Sequence, residues 1–290
     1  MDPHLLRTFV EVAETGSFSA AADRLSYTQS AVSQQIAALE ADLGTPLLTR
    51  RPVALTPAGE RLRRHSKIIL VRLEAARADV TRTIAPPGRL TVGLTPLAWS
   101  APVAAALTRI RAESARLRTR LLVAELDRIV AATTTGATDL GLVDGFTAPS
   151  DPLRLPEPGD RQAARVTECP AVVAVPAGHP LARRGSVELA DLADAYWIDA
   201  PGVAPLHRLP LDGLRAGLHY DGAEVTVLTG LVAAGHGLAV LPEWLVTGAA
   251  GLAAVPLGVP RLVHRVELLR APAADDPDEP ASRLAALLTA

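Results

Sequence analysis

Cysteine occurs once in the 290 residues, as Cys169, and lysine once, as Lys67. One thiol closes no internal disulfide and cannot supply a zinc ribbon or a CxxC redox pair, which fits a reducing compartment. The lone lysine, in His65-Ser66-Lys67-Ile68, lacks the Gly-Lys-Ser/Thr setting of a P-loop and sits in a charged helical stretch, not the apolar pocket of a Schiff-base enzyme. The seven histidines show no HExxH or paired spacing and GxSxG does not occur, so no metal, cofactor or catalytic residue is expected. His236, between two glycines, reads as a turn residue and Cys169 as a small buried one. The start of the chain meets Glu11 and Glu14 and has neither the basic opening nor the apolar run of an export signal, so a cytoplasmic protein is expected. The longest uncharged stretch, 225–242, carries three Gly and two Thr and reads as a buried strand-helix-strand run, not a membrane span.

What is present is a chain that folds. Hydrophobic residues make up 49% and the net charge is only -2, which excludes disorder. At roughly 150 residues per domain the length suggests two domains. Charge is uneven along it. Residues 1–49 hold two basic and six acidic side chains, whereas 50–67 hold six basic ones (Arg50, Arg51, Arg61, Arg63, Arg64, Lys67) against Glu60 alone. Such a run is either a solvated helix face or a nucleic-acid contact.

The first sixty residues read as short helices. Asp2 before Pro3 is an N-cap, with Leu6, Phe9, Val10 and Ala13 at helical spacing until Gly16. Ser17 and its neighbours offer caps for a short helix over 20–25. Thr28 caps a third helix, from Gln29 to about Asp42, ended by Gly44 and striped by Val32, Ile36, Leu39 and Leu43. The other face of that helix carries Gln29, Ser30, Ser33, Gln34 and Ala37, short or amide-bearing side chains without charge. Gln can pair bidentately with adenine, Ser can bond a base or phosphate, and exposed N-terminal amides attract phosphate. This is a helix-turn-helix pattern, with a plain three-helix module that binds protein as the alternative. Residues 47–56 then read as a hairpin with Arg50 and Arg51 at its tip, a wing for backbone phosphates.

Leu6-Arg7-Thr8-Phe9, Gly16-Ser17-Phe18-Ser19-Ala20-Ala21-Ala22, Thr28-Gln29-Ser30-Ala31-Val32-Ser33-Gln34-Gln35-Ile36, Leu39-Glu40, Leu43-Gly44, Pro46-Leu47-Leu48, Arg50 and Leu55-Thr56-Pro57-Ala58-Gly59 resemble the N-terminal domain of LysR-type transcriptional regulators. The resemblance implies a winged domain whose third helix enters the major groove of promoter DNA. Its DNA-binding set comprises Ser17, Thr28, Gln29, Ser30, Ser33, Gln34, Arg50 and Arg51. Ser30 and Gln34 depart from the family pattern, which often has Pro and a basic residue there, and the segment from Arg50 to Leu55 is shorter than usual.

From Ala58 to about Ile84 no Gly or Pro follows Gly59, which predicts one long helix. Leu62, Ile69 and Ala76, with Leu73 and Val80, form a heptad seam interrupted by Ser66. Pairing with a second copy is favoured over packing on its own domain, since paired heads also suit a palindromic site. Pro86-Pro87-Gly88 should end the helix.

Beyond it, strands at 90–94, 121–124 and 139–143 alternate with helices, predicting a parallel sheet with right-handed crossovers. After a loop over 146–168 come a strand at 171–175 and a second alternating run: 197–199, 206–216, 225–227, 231–234 and 238–241. A strand at 263–269 and a helix from Ala281 close the chain. Gly88-Arg89-Leu90-Thr91-Val92-Gly93, Asp139-Leu140-Gly141-Leu142-Val143, His179-Pro180-Leu181-Ala182, Leu189-Ala190-Asp191-Leu192 and Val232-Ala233-Ala234-Gly235-His236-Gly237-Leu238 resemble the effector domain of the same family, which is similar to two-lobed periplasmic solute-binding proteins. Ligands of open parallel sheets bind beyond the carboxyl ends of the strands, near helix N-termini. That places Thr95, Trp99, Ser100, Glu125, Asp127, Gly202, Val203 and Thr229 as effector-binding candidates, each with an ordinary cap or packing role as its alternative.

The expected fold class is thus α/β: a winged helix-turn-helix over 1–58, a linker and dimerisation helix over 59–87, and a two-lobed periplasmic-binding-protein-like effector domain over 88–290. Its first lobe takes about 88–160 and 261–290, and its second about 161–260. The expected function is ligand-responsive regulation of transcription at an inverted-repeat promoter site. Expected partners are double-stranded DNA, a small-molecule effector, further copies of the chain as a dimer or dimer of dimers, and RNA polymerase, but no membrane. The runner-up is a two-lobed small-molecule-binding protein whose N-terminal helices serve assembly; an enzyme in the cleft finds no nucleophile beside a base.

Overall fold

A computed structural model of the chain describes residues 1–83, 88–114, 116–155, 163–209, 213–270 and 279–290. They form two compact units, Met1–Thr81 and Arg82–Ala290. The expected helix stop at Pro86-Pro87, the lobe boundary near residue 160 and part of the segment 206–216 lie outside the described residues.

In the first unit, local chemistry sets each helix end. The Asp2 carboxylate accepts from the His4 N–H at 2.8 Å, Pro3 opens α1 (Pro3–Thr15), and Gly16 closes it in the left-handed conformation at φ +62°. The Ser17 hydroxyl caps α2 (Phe18–Leu25), which starts earlier than expected, so that Phe18 joins the core and not the turn. Thr28 caps α3 (Gln29–Leu43), and Gly44 ends it. Leu6, Phe9, Val12, Ala21, Val32, Ile36 and Leu39 meet at the centre, essentially without exposure. The hairpin pairs β1 (Leu48–Arg50) antiparallel with β2 (Val53–Leu55), turning at Arg51-Pro52.

The long helix α4 (Pro57–Thr83) divides its apolar residues. Leu62 and Leu70 pack on the core of the head, and Ser66, the interruption of the expected seam, is fully buried. Ion pairs Arg7–Glu74 at 2.7 Å and Lys67–Glu14 at 3.0 Å tie the helix to α1. Ile68 and Val80, by contrast, are 60% and 68% exposed, and Ile69 38%. The seam is therefore split: part serves its own head, and the rest is an uncovered apolar stripe of the kind that pairs helices. The start of α4 is so close to the wing that a Cβ on Gly59 would lie 2.1 Å from the Leu47 carbonyl oxygen. That oxygen is held by the Thr56 N–H at 2.9 Å and has little room to retreat. Gly59→Ala is expected to destabilise the head by about 2 kcal/mol, as overpacked sites do. Differential scanning calorimetry would show the first unit melting earlier; an unchanged thermogram would mean the backbone yields freely.

The second unit is built on a mixed seven-stranded sheet ordered β10-β6-β11-β5-β3-β4, with β9 also on β6. In chain order it contains β3 (Arg89–Leu94), α5 (Ala101–Glu113), β4 (Arg118–Val123), α6 (Leu126–Thr134), β5 (Leu140–Thr147), β6 (Ala164–Pro176), β7 (Trp197–Asp199), β8 (Ala216–His219), α7 (Val225–Ala233), β9 (Ala239–Pro242), α8 (Glu243–Thr247), β10 (Leu252–Pro256), β11 (Val263–Arg270) and α9 (Pro280–Thr289). The expected parallel sheet holds for β3, β4 and β5. It fails elsewhere, since β11 runs antiparallel to β5 and β6, and β9 and β10 antiparallel to β6. One pair of apolar clusters flanks the β3-β5-β11 half of the sheet, with Leu90, Leu142 and Leu284 on one side and Ile129 and Val143 on the other. A second pair flanks β6 and β9, around Trp197 and Leu238 and around Leu228 and Leu241. Phe146 and Leu97 pack into this second half from the first.

Three expectations are corrected. The run 225–227 is not a strand but the first turn of α7, because Leu228 and Val232, four residues apart, are the side chains it buries. The expected loop 146–168 is partly strand, since β5 reaches Thr147 and β6 begins at Ala164, both paired with β11. The expected element at 206–216 begins as a single 3-10 turn, Leu206–Arg208, and ends in strand β8. Among the described residues no helix is long and apolar enough to cross a membrane.

Candidate nucleic-acid interface and effector site

On the head, the packing of Val32, Ile36 and Leu39 inward turns the opposite face of α3 outward. Gln29, Ser30, Gln34 and Ala37 are exposed and Ser33 is half-buried, so none of the expected reading positions is consumed by the core. Ser17 and Thr28 stand differently. Their hydroxyls accept from the Ala20 and Ala31 N–H groups at 3.3 and 3.2 Å, and Thr28 Oγ1 lies 3.0 Å from Ser30 Oγ. Both are helix caps first, set at helix N-termini where a phosphate would meet unpaired amides. Gln35, which the sequence reading left aside, accepts a hydrogen bond from the buried Thr8 hydroxyl at 2.5 Å and so faces inward.

Of the two wing arginines, Arg51 is exposed at the turn. Arg50 folds back on α3. Its Nη1 donates to Ser33 Oγ at 3.2 Å, its Nη2 lies 3.8 Å from Glu40 Oε2, and its guanidinium carbon sits 5.2 Å from the centre of the Phe18 ring. Arg50, expected with Arg51 at the hairpin tip, ends β1 beside the turn, and its side chain is gathered to the recognition helix. Glu40, which the sequence reading did not single out, also accepts from the Leu47 and Leu48 N–H groups at 2.8 and 3.2 Å.

In the second unit, the carboxyl ends of β3 and β4 carry the first group of effector candidates. Thr95 is buried and its hydroxyl is already engaged: it donates to the Asp144 carboxylate and accepts from the Asp144 N–H at 2.9 Å. Asp144 in turn bonds His264 at 3.0 Å, and His264 stands opposite Cys169 on β6. Burial alone would push the His264 imidazole down, but the hydrogen bonds and charge of Asp144, helped by Cys169, push it up to about 9. Cys169, expected to be a small buried residue, is half-buried.

Ser100 occupies the N-cap of the thirteen-residue α5, yet its hydroxyl makes no cap bond. Its Oγ is buried without a hydrogen-bond partner among the described residues. Such an oxygen is costly unless something supplies a bond. Glu125 and Gly202 come together across the two halves of the sheet, since a Cβ on Gly202 would lie 3.5 Å from Glu125 Oε1. Asp127 likewise reaches Arg208 at 3.2 Å. Val203, beside Gly202, is buried in the second half's core. Two candidates stand elsewhere. Trp99, 45% exposed, lines a groove of about 440 Å3 with Leu107, Arg111 and Leu121, between α5 and the edge strand β4. Thr229 lies inside α7, its hydroxyl turned back to the Val225 and Thr226 carbonyls at 3.1 Å, so the position assigned to it beyond a strand end is corrected. Asp144, His264 and Arg208 were missed; an acid closing the apolar run 140–143 was the one visible signal for the first.

With this geometry in place, residues 3–60 match the family described as "Bacterial regulatory helix-turn-helix protein, lysR family", and residues 85–289 match "LysR substrate binding domain". The chain is 32% identical over 257 residues to the HTH-type transcriptional regulator BudR of Raoultella terrigena, with 84% of this chain and 85% of that one covered. It is 32% identical over 252 residues to a probable hydrogen peroxide-inducible genes activator of Mycobacterium avium, with 82% and 76% covered. Among solved structures, full-length BenM is similar at a TM-score of 0.55 and 25% identity, over 99% of this chain and 95% of that one.

Proposed function

The chain belongs to the LysR family of bacterial regulatory helix-turn-helix proteins, and from that premise we propose how its residues divide the work of a DNA-binding transcriptional regulator. As a family member it binds promoter DNA, takes a small-molecule effector and works as an oligomer. In our reading the head over 1–58, the linker helix over 59–87 and the effector domain over 88–290 act as three parts, with lobes divided near residues 160 and 261. The protein acts in the cytoplasm, without turnover of its ligand. Two heads, paired through α4, engage the halves of an inverted repeat as a dimer or dimer of dimers.

The observation that carries the DNA reading is the outward, uncharged face of α3. Gln29, Ser30, Ser33 and Gln34 meet the major groove, Ser17 and Thr28 present helix N-termini to phosphates, and Arg50 and Arg51 add charge. Gln29→Ala is expected to cost about 1–3 kcal/mol on a selected operator and almost nothing on random duplex, which fluorescence anisotropy would resolve. Equal losses on both would remove Gln29 from base reading.

The effector reading rests on the Ser100 hydroxyl. We place the ligand at the N-terminus of α5, where the exposed amides and Ser100 Oγ meet a carboxylate or similar oxygen, with Thr95 behind and Glu125, Asp127, Gly202 and Val203 from the facing walls. Binding shifts the balance between two arrangements of the paired heads, and only a difference in affinity for the two does so. Thermal-shift screening with small carboxylic acids tests it: a hit raises the melting temperature, and Ser100→Ala removes the rise.

A further inference from the structure

The fold draws the Arg50 side chain onto the reading helix, and three groups hold it there. That side chain is 52% exposed, whereas that of Glu40 is only 17% exposed. Glu40 spends one carboxylate oxygen on the Leu47 and Leu48 N–H groups, which fixes the start of β1, and turns the other to the guanidinium at the end of the same strand. The Phe18 ring, at the start of α2, lies beneath the guanidinium carbon, and Ser33 Oγ accepts from one of the guanidinium N–H groups. An arginine on a short hairpin would otherwise sample many rotamers and lose that freedom on meeting DNA. Stacking on an aromatic ring and a fixed carboxylate suit the planar fork of Arg and not a point charge.

We propose that Glu40 and Phe18 are positioning residues for DNA binding: they hold the Arg50 guanidinium ready for a backbone phosphate at the edge of the recognition helix. This rests on the reading of Arg50 as a DNA contact. The alternative for Glu40 is a purely structural hook for the wing, and the two differ in sign. Glu40→Gln keeps an oxygen that accepts from Leu47 and Leu48 but removes the negative charge beside Arg50. As a mere hook, it would leave DNA affinity unchanged or raise it, because an acid near phosphates is gone. As a positioner, it weakens binding.

The test uses the full chain, a random-sequence duplex three helical turns long, and anisotropy titrations across a series of KCl concentrations. Arg50→Ala is expected to weaken binding about tenfold at low salt and to lower the slope of log affinity against log salt by about one. Glu40→Gln is expected to weaken binding about fivefold with the same sense of slope change, and to add nothing in the Arg50→Ala background. Affinity equal to or above wild type for Glu40→Gln overturns the positioning role, as does a loss that persists undiminished without Arg50. An Arg50→Ala protein that binds like wild type overturns the underlying reading of Arg50 itself. Circular dichroism melts accompany each variant. Should Glu40→Gln not fold, Phe18→Leu removes the ring but keeps apolar volume, and the same three outcomes decide.

Discussion

Asp144→Ala is expected to lower the stability of the second unit by about 3–5 kcal/mol near neutral pH, the range for breaking a buried charge pair by removing one member. His264 is 2% exposed, and its nearest countercharge is the Asp144 carboxylate at 3.0 Å. Burial opposes the imidazolium; Asp144 and Cys169 outweigh that opposition and raise its pKa from 6.5 to about 9. A proton held more tightly by the folded than by the unfolded chain stabilises the fold. That contribution is complete below about pH 6.5 and is lost as pH rises through about 9. In the wild type, then, unfolding free energy should fall by about 3 kcal/mol across this window, other groups aside. Without Asp144 the imidazole stays neutral, and this fall should disappear. Urea unfolding followed by fluorescence at several pH values would measure both quantities. A variant that keeps the wild-type pH slope would show that Asp144 is not what charges His264. The same substitution frees Thr95, whose hydroxyl Asp144 occupies, so changes in effector affinity are expected to accompany the stability loss.

How far such a centre is legible beforehand depends on sequence distance. The head reads well because its punctuation is local: Asp2, Ser17 and Thr28 start helices, and Gly16 and Gly44 stop them, each acting within a few residues. The outward face of α3 follows from the same periodicity, and so does much of the candidate DNA site. Arg50 does not, because its partners Ser33 and Phe18 come from other elements and only the hairpin's geometry returns it to them. Asp144 and His264 are separated by 120 positions. Nothing in either neighbourhood announces the other. The segment beginning at Val225 shows a different limit. Val225, Thr226 and Val227 favour strand as isolated residues, whereas the folded unit uses Leu228 and Val232 as one buried helical face. Thr229 was placed beyond a strand end for that reason. The mixed order of the sheet escapes a reading of alternating elements, since β11 arrives from the far end of the chain to lie between β5 and β6.

That late strand carries the second large effect. Arg265, 7% exposed, donates from Nε and Nη2 to Glu168 at 3.1 and 2.7 Å, from Nη1 to the Asp151 carbonyl at 2.5 Å and from Nη2 to the Pro149 carbonyl at 2.7 Å. Its Nη1 also lies 3.9 Å from Glu267, whose other oxygen is buried without a hydrogen-bond partner among the described residues. One guanidinium thus balances two carboxylates and fastens the segment that leaves β5. Arg265→Ala strands the buried Glu267 charge and two carbonyls together, and a loss of about 3–5 kcal/mol is expected. Arg265→Lys should recover only part of it, because an ammonium offers no planar fork to reach a carboxylate and two carbonyls on separate sides. Pairing Arg265→Ala with Glu267→Gln separates the causes: if the unpaired carboxylate dominates, the double variant is more stable than the arginine variant alone. Chemical unfolding of the three proteins decides, and equal stability of the single and double variants would assign the loss to the two carbonyls instead. Because β11 pairs with both β5 and β6, which join the two halves of the sheet, a loosened Arg265 is also expected to weaken the transmission of effector binding, read as a smaller ligand-dependent change in DNA affinity.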